Sequence, residues 1–120
     1  MATTTGTLVF YDSWMEKLAE AVNLSSDTFK VGLTTSSYTP DASTHDEYAD
    51  ITNEVSGNGY AQQTLGSVTF SQTGGTATFD AADPVFTASG GAIVARYYFI
   101  YDDTVSGSLA CLIPTQTSMN

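Results

Sequence analysis

The stretch Ala92-Ile93-Val94-Ala95-Arg96-Tyr97-Tyr98-Phe99-Ile100-Tyr101 is the strongest strand signal in the chain and decides its fold class. Read with the two-residue period of a β-strand, it puts Ile93, Tyr97, Phe99 and Tyr101 on one face. Val94, Tyr98 and Ile100 fall on the other. A strand apolar on both faces belongs at the centre of a sheet, or beneath a helix or a second subunit. The run is interrupted by Arg96 and is far too short to span a bilayer.

Working outward from this strand, Asp102-Asp103-Thr104-Val105-Ser106-Gly107 reads as a turn into a last strand over 108–113, ended by Pro114. Residues 115–120 read as a loose tail. Upstream, Val85-Phe86-Thr87 after Pro84 reads as another short strand. Val68 and Phe70 precede the turn Ser71-Gln72-Thr73-Gly74-Gly75, and Ala77 and Phe79 follow it, so a β-hairpin is expected. A second hairpin is expected where 51–55 and 60–65 flank Ser56-Gly57-Asn58-Gly59, since Gly and Asn tolerate the positive φ of a tight turn.

Phe29, Val31 and Leu33 alternate with Lys30, Gly32 and Thr34, the pattern of a half-buried strand. Between that strand and residue 51 runs a long polar connection, 36–50, of a length that is uncommon in small domains and often functional.

One helix is expected, over 13–23. Ser13 and Glu16 have capping-box spacing, and Trp14, Leu18, Ala21 and Val22 recur on one face. Ahead of it, 1–7 reads as an arm or edge strand and Leu8-Val9-Phe10-Tyr11 as a short strand. Seven or eight short strands after one short helix predict a mainly β fold. The expected architecture is an antiparallel β-sandwich, jelly-roll-like, or a small barrel, in one domain covering 1–120.

Composition narrows the function classes. The 120 residues hold 13 Asp and Glu against three Lys and Arg, a formal charge of -10. Charged residues are only 13% of the chain, and its polarity comes from 19 Thr and 13 Ser beside ten Gly. Nucleic acid is not an expected partner, because phosphate attraction needs Lys and Arg. The same deficit argues against an anionic membrane surface. The N-terminal residues have no basic start or apolar signal core, and the single Cys111 excludes an intramolecular disulfide, so a reducing compartment is the simpler reading.

The residues that carry chemistry elsewhere do not form a signature here. Asp102-Asp103 and Asp46-Glu47 read as turn residues or a solvated face rather than an acid–base pair. Asp41, Asp46 and Asp50 lack the alternating ligands and central Gly of a calcium loop. His45 is the sole histidine, with no nucleophile elbow to serve and no cysteine partner set for zinc. Cys111, between Ala110 and Leu112, reads as a buried thiol with nothing basic beside it. Gly57-Asn58-Gly59 and Gly74-Gly75 have hairpin rather than phosphate-loop context. No enzyme and no cofactor are expected. Tyr97, Tyr98 and Tyr101 read as packing of a β-domain, whereas Tyr38 and Tyr48 read equally as such packing or as an aromatic platform for a sugar or a protein partner.

Three blocks of the sequence carry a resemblance. Lys30-Val31-Gly32-Leu33-Thr34-Thr35-Ser36-Ser37-Tyr38-Thr39-Pro40-Asp41, continued by Thr44-His45-Asp46-Glu47-Tyr48, resembles a pattern of small structural proteins of tailed bacteriophages. So do Thr52-Asn53-Glu54-Val55-Ser56-Gly57-Asn58-Gly59-Tyr60 and Ala95-Arg96-Tyr97-Tyr98-Phe99-Ile100-Tyr101-Asp102-Asp103-Thr104. The likeness covers roughly residues 28–113. It departs after Thr104, where the pattern continues with a longer apolar strand, and it leaves out the helix.

The resemblance implies capsid decoration, or cement. A β-rich protein of that kind, commonly a homotrimer, clamps neighbouring major capsid protein subunits on the virion surface after assembly in the host cytoplasm. It brings no catalytic residues to carry over. The partner-contact candidates are then Thr4, Leu8 and Phe10 in the arm, and Tyr38, His45 and Tyr48 in the long connection. The alternative keeps the phage and moves the site: a tail or fibre domain binding a host-surface glycan through Tyr38 and Tyr48, or binding another virion protein. A hydrolase using Asp46 or Asp102 is the reading from a third class.

Overall fold

The computed structural model describes residues 9–114. The chain forms β1 (Val9–Phe10), α1 (Ser13–Glu20), β2 (Phe29–Thr34), one 3-10 turn (Tyr48–Asp50), β3 (Gln63–Thr64), β4 (Thr69–Thr73), β5 (Thr76–Asp80), β6 (Tyr97–Asp102) and β7 (Ser108–Pro114). Five strands make one antiparallel sheet in the order β1-β7-β6-β2-β3, and among the described residues β4 pairs only with β5. The protein is therefore mainly β, with one short helix, as the sequence predicts. The sheet described is open, edged by β1 and β3, so the barrel alternative is not realised there.

The double-faced apolar strand is β6, and it lies in the middle of the sheet. Cross-strand partners share a face. Phe29↔Asp102, Val31↔Ile100 and Leu33↔Tyr98 define the first face; Lys30↔Tyr101, Gly32↔Phe99 and Thr34↔Tyr97 define the second. Regular pairing begins at Tyr97 rather than Ala92. Residues 92–96 run in from the Gly90-Gly91 bend and are held to β2 where the Arg96 N–H donates to the Thr34 carbonyl at 2.8 Å. Ile93 consequently packs with Leu33 and Tyr98 on the first face, not with Phe99 and Tyr101.

Each face is covered by a different element. On the first, α1 sets Trp14 against Phe29, with Ala110 and Cys111 in the same cluster and Leu18 and Val22 at its margin. Farther along the same face, Leu33, Val55, Ile93 and Ala95 form a second cluster bordered by Tyr60 and Phe86. The second face carries Phe99, Tyr101, Leu109 and Leu112, covered by Tyr11 and by Tyr38, Ala42, Tyr48 and Ile51 of the long connection. That connection is a strap over the sheet. The Asp12 N–H donates to Ala42, Tyr48 to Gly107 and Leu109 to Asp46, and Glu47 bridges Ser108.

Gly32 explains how the second face closes. The Phe99 ring lies directly over it, and a Cβ added at Gly32 would stand 2.3 Å from the ring. Only glycine leaves room there for a fully buried phenylalanine.

Several local expectations are corrected. The Ser13–Glu16 capping box is absent: Asp12 takes the N-cap position with helical φ and ψ, and no side-chain cap bond forms. The Tyr11 carbonyl accepts the Trp14 N–H instead, while Ser13 Oγ is buried without a partner. The helix ends at Glu20, because Ala21 leaves the helical region and Asn23 organises the next turn, accepting from the Ser25 N–H.

The hairpin expected over 51–65 does not form. Both flanks return to the edge of β2 instead, Glu54 opposite Thr34 and β3 opposite Lys30 and Val31. The turn between them does use positive φ, at Gly57, Asn58 and Gly59. Val85-Phe86-Thr87 is not a strand; Phe86 stacks on Tyr60 at 5.9 Å. The other hairpin is tighter than expected, with a two-residue Gly74-Gly75 loop at φ of 58° and 83°, the positive pair that a primed hairpin turn requires.

Candidate functional site

Of the six partner-contact candidates, Thr4 and Leu8 lie outside the described residues. Phe10 is 53% exposed on edge strand β1, opposite Cys111. Tyr38 is not a surface aromatic. It is 2% exposed, and its ring meets Tyr97 edge-on at 6.0 Å. Its hydroxyl lies 3.1 Å from the Tyr11 hydroxyl and 2.8 Å from His45 Nδ1. Burial pushes both tyrosine hydroxyls above their ordinary range; their mutual bond adds to the effect at Tyr11, and the Asp50 and Asp41 charges add to it at Tyr38. His45, half-buried, is thus the outer end of a buried hydroxyl pair that pins the strap.

Tyr48 is half-buried and stacks on Tyr101 at 4.7 Å and on Phe99 at 6.0 Å. Its hydroxyl donates to Glu54 Oε1, and the Tyr60 hydroxyl donates to Oε2 of the same carboxylate. Gln62 Nε2 also donates to Oε2 at 2.9 Å, while the Tyr101 hydroxyl donates to Gln62 Oε1 at 2.6 Å. The Leu33 N–H, facing the gap between Glu54 and β3, donates to the Tyr60 hydroxyl at 3.0 Å. Three donors on one carboxylate occupy most of its acceptor positions. Burial first, then the bond to Glu54, pushes the Tyr48 hydroxyl up to about 12.

The acids of the strap are used in turns. Asp41 accepts from Ser43 Oγ at 2.7 Å and from the Ser43 and Thr44 N–H groups, which holds its carboxyl down to about 2. Asp50 accepts the Asp46 and Glu47 N–H groups, and those bonds lower it. A reciprocal capping box therefore sits at Glu47 and Asp50, not at the helix where the spacing points. Asp103 pairs with Lys30 at 3.4 Å. Asp102 is wholly buried, so the solvated-face reading fails for it; the turn reading holds, since Oδ1 accepts the Thr104 and Val105 N–H groups. Burial pushes the Cys111 thiol up to about 12, the condition of an inert structural cysteine.

The network of Glu54, Tyr60, Gln62 and Tyr101 is missed by the sequence reading. Its one legible sign is an acid, Glu54, between Ile51 and Val55 in a stretch otherwise suited to a strand.

The most exposed ordered structure is the β4–β5 hairpin. All ten of its strand residues are exposed, including Phe70 at 43% and Phe79 at 37%. It is tied to the body at its base, where Phe79 meets Phe29 edge-on at 5.2 Å. Phe70 also lines an open groove with Leu18, Val22 and Leu24 at the end of α1. Asp80 is the one charged residue in 69–80. Comparison with protein-family models, curated proteins and solved structures gives no match.

Proposed function

We propose that this chain is a non-enzymatic structural protein of a tailed-phage virion, a capsid decoration (cement) protein. It binds major capsid protein subunits on the head surface and associates with copies of itself as a homotrimer. The three blocks in order support the family reading, and the β4–β5 hairpin is the observation that carries an interaction role. A two-stranded hairpin exposed on both faces is marginal in water by itself. Against another chain, its Phe70 and Phe79 gain burial and its two open edges gain partners that the described residues do not supply. Near neutrality of the hairpin lets it meet a second copy of a chain whose charge is -10, while the acids elsewhere complement a basic shell.

Cryo-microscopy of the parent virion tests the proposal. Density for this chain is expected on the head, with the hairpin in contact with a neighbour; a head without it overturns the reading. The tail or fibre alternative draws its support from the half-exposed Tyr48 on its aromatic stack. A glycan array read with the native chain and Tyr48→Ala tests that alternative, since it alone requires a glycan to bind at Tyr48, and no binding removes it. Tyr38, being buried, has no part in either contact.

A further inference from the structure

Two hydrogen bonds fasten the α1–β2 loop to the β6–β7 turn. The Thr28 N–H donates to Thr104 Oγ1 at 2.8 Å, and the Asp103 N–H donates to the Thr28 carbonyl at 2.9 Å. They bring Asp27 beside Asp102. Asp102 is 0% exposed, and with Oδ1 committed to its own turn, Oδ2 is buried without a donor. Asp27, the residue before Thr28 in that loop, is the neighbouring acid whose carboxyl acts on that of Asp102. Asp27 Oδ2 also accepts the Asn23 N–H at 2.9 Å.

Two carboxylates side by side, one of them out of water, do not both ionise without a large penalty. Lys30 does not relieve it. Lys30 pairs with Asp103, and it stands on the face of β2 opposite the one that Phe29 shares with Asp102. A hard cation wants six or more oxygens, whereas no group of three or more acid, His or Cys side chains arranged for a metal occurs among the described residues. We propose that buried Asp102 holds a proton and donates it in a hydrogen bond to the Asp27 carboxyl, and that this proton latches the α1–β2 loop to the β6–β7 turn in a pH-dependent way.

Burial, with Asp27 beside it, pushes Asp102 up to about 6 from 3.8. The folded chain therefore binds the proton more tightly than the unfolded chain. The stability it brings is complete below pH 3.8, declines as pH rises, and is gone above about 6. The same turn holds the strap, because the Gly107 carbonyl accepts the Tyr48 N–H at 2.7 Å. Ionisation of Asp102 thus loosens both the α1–β2 loop and the strap through one turn.

The test compares urea unfolding of the native chain and Asp27→Asn between about pH 4 and pH 8. The amide in D27N keeps an acceptor for Asn23 and offers Asp102 Oδ2 a donor at every pH. The native unfolding constant is expected to rise about 10- to 100-fold more than that of D27N across this range. Amide exchange at Thr28 and Asp103, corrected for intrinsic rate, is expected to speed up with pH in the native chain and not in D27N. Parallel profiles for the two proteins would overturn the latch. So would stabilisation of the native chain by millimolar calcium at neutral pH that D27N lacks, which would make the pair a cation site.

Discussion

Two antiparallel pairs in this molecule have nearly the same length and opposite fates. The β2–β6 pair is covered on both faces; the β4–β5 hairpin meets the body of the described residues only through Phe79 and Phe70, and all its strand residues stay exposed. β2 and both hairpin strands alternate with a two-residue period while β6 is apolar on both faces, so alternation alone does not separate β2 from the hairpin. The difference lies in the segments joined to each strand. The strap and α1 are long enough, and apolar at the right places, to fold back over β2 and β6, whereas β4 is joined to β5 by two glycines that bring nothing with them. A strand pair in a small domain becomes core when its connections are long enough to cover it, and becomes a contact surface when they are not.

Substitutions sharpen this contrast. Phe99→Ala, which empties the centre of the second face, is expected to cost about 3–5 kcal/mol in urea unfolding. A loss under about 1 kcal/mol would mean that the strap does not seal that face. Gly32→Ala forces the Phe99 ring aside and is expected to cost about 1–3 kcal/mol. Phe99→Leu in the same chain should recover part of that loss, and strict additivity would show that the two residues do not collide.

Glu54→Gln leaves the Tyr48, Tyr60 and Gln62 donors with one weaker acceptor, and about 1–3 kcal/mol is expected. The same variant should bring the Tyr48 hydroxyl down from about 12 in an ultraviolet titration, since Glu54 is the second cause of its elevation. The native hydroxyl sits above its ordinary 10, so the stability tied to it is lost as pH rises through about 12, and an unchanged titration in E54Q would break the assignment.

The smallest effect on folding is expected at the hairpin. Phe70→Ser should change stability by less than about 0.5 kcal/mol. If the hairpin is a contact surface, the same variant weakens self-association or head binding, read by sedimentation and by particle occupancy. A destabilised monomer with unchanged association would place Phe70 in the core and erase the contrast between the two pairs.

Much of the fold is legible in the residues themselves. The two-faced run over Tyr97 to Tyr101 demands a central place, Phe29-Val31-Leu33 demands a covered face, and Gly74-Gly75 demands a tight turn. Covered polar residues are less legible. Tyr38, in a Ser- and Thr-rich segment, reads equally as surface or as packing and is core, because its hydroxyl meets Tyr11, 27 positions away. Glu54, Tyr60 and Gln62 give no local pattern, as their network closes through Tyr48 and Tyr101. The flanks of Gly57-Asn58-Gly59 read as a hairpin because local chemistry allows one; the β2 edge then captures both flanks with better-buried partners.

By itself, then, the sequence determined the class: a mainly β domain with one helix, an acidic charge of -10 spread thinly, and a lone thiol. Periodicity and composition are local properties, and they survive any arrangement of the strands. Only the tertiary structure decided which strands are covered, which tyrosine hydroxyls find buried partners, and that Asp102 is enclosed while Asp103 pairs with Lys30. Those outcomes depend on segments tens of residues apart meeting across a sheet, and no local pattern records which of them meet.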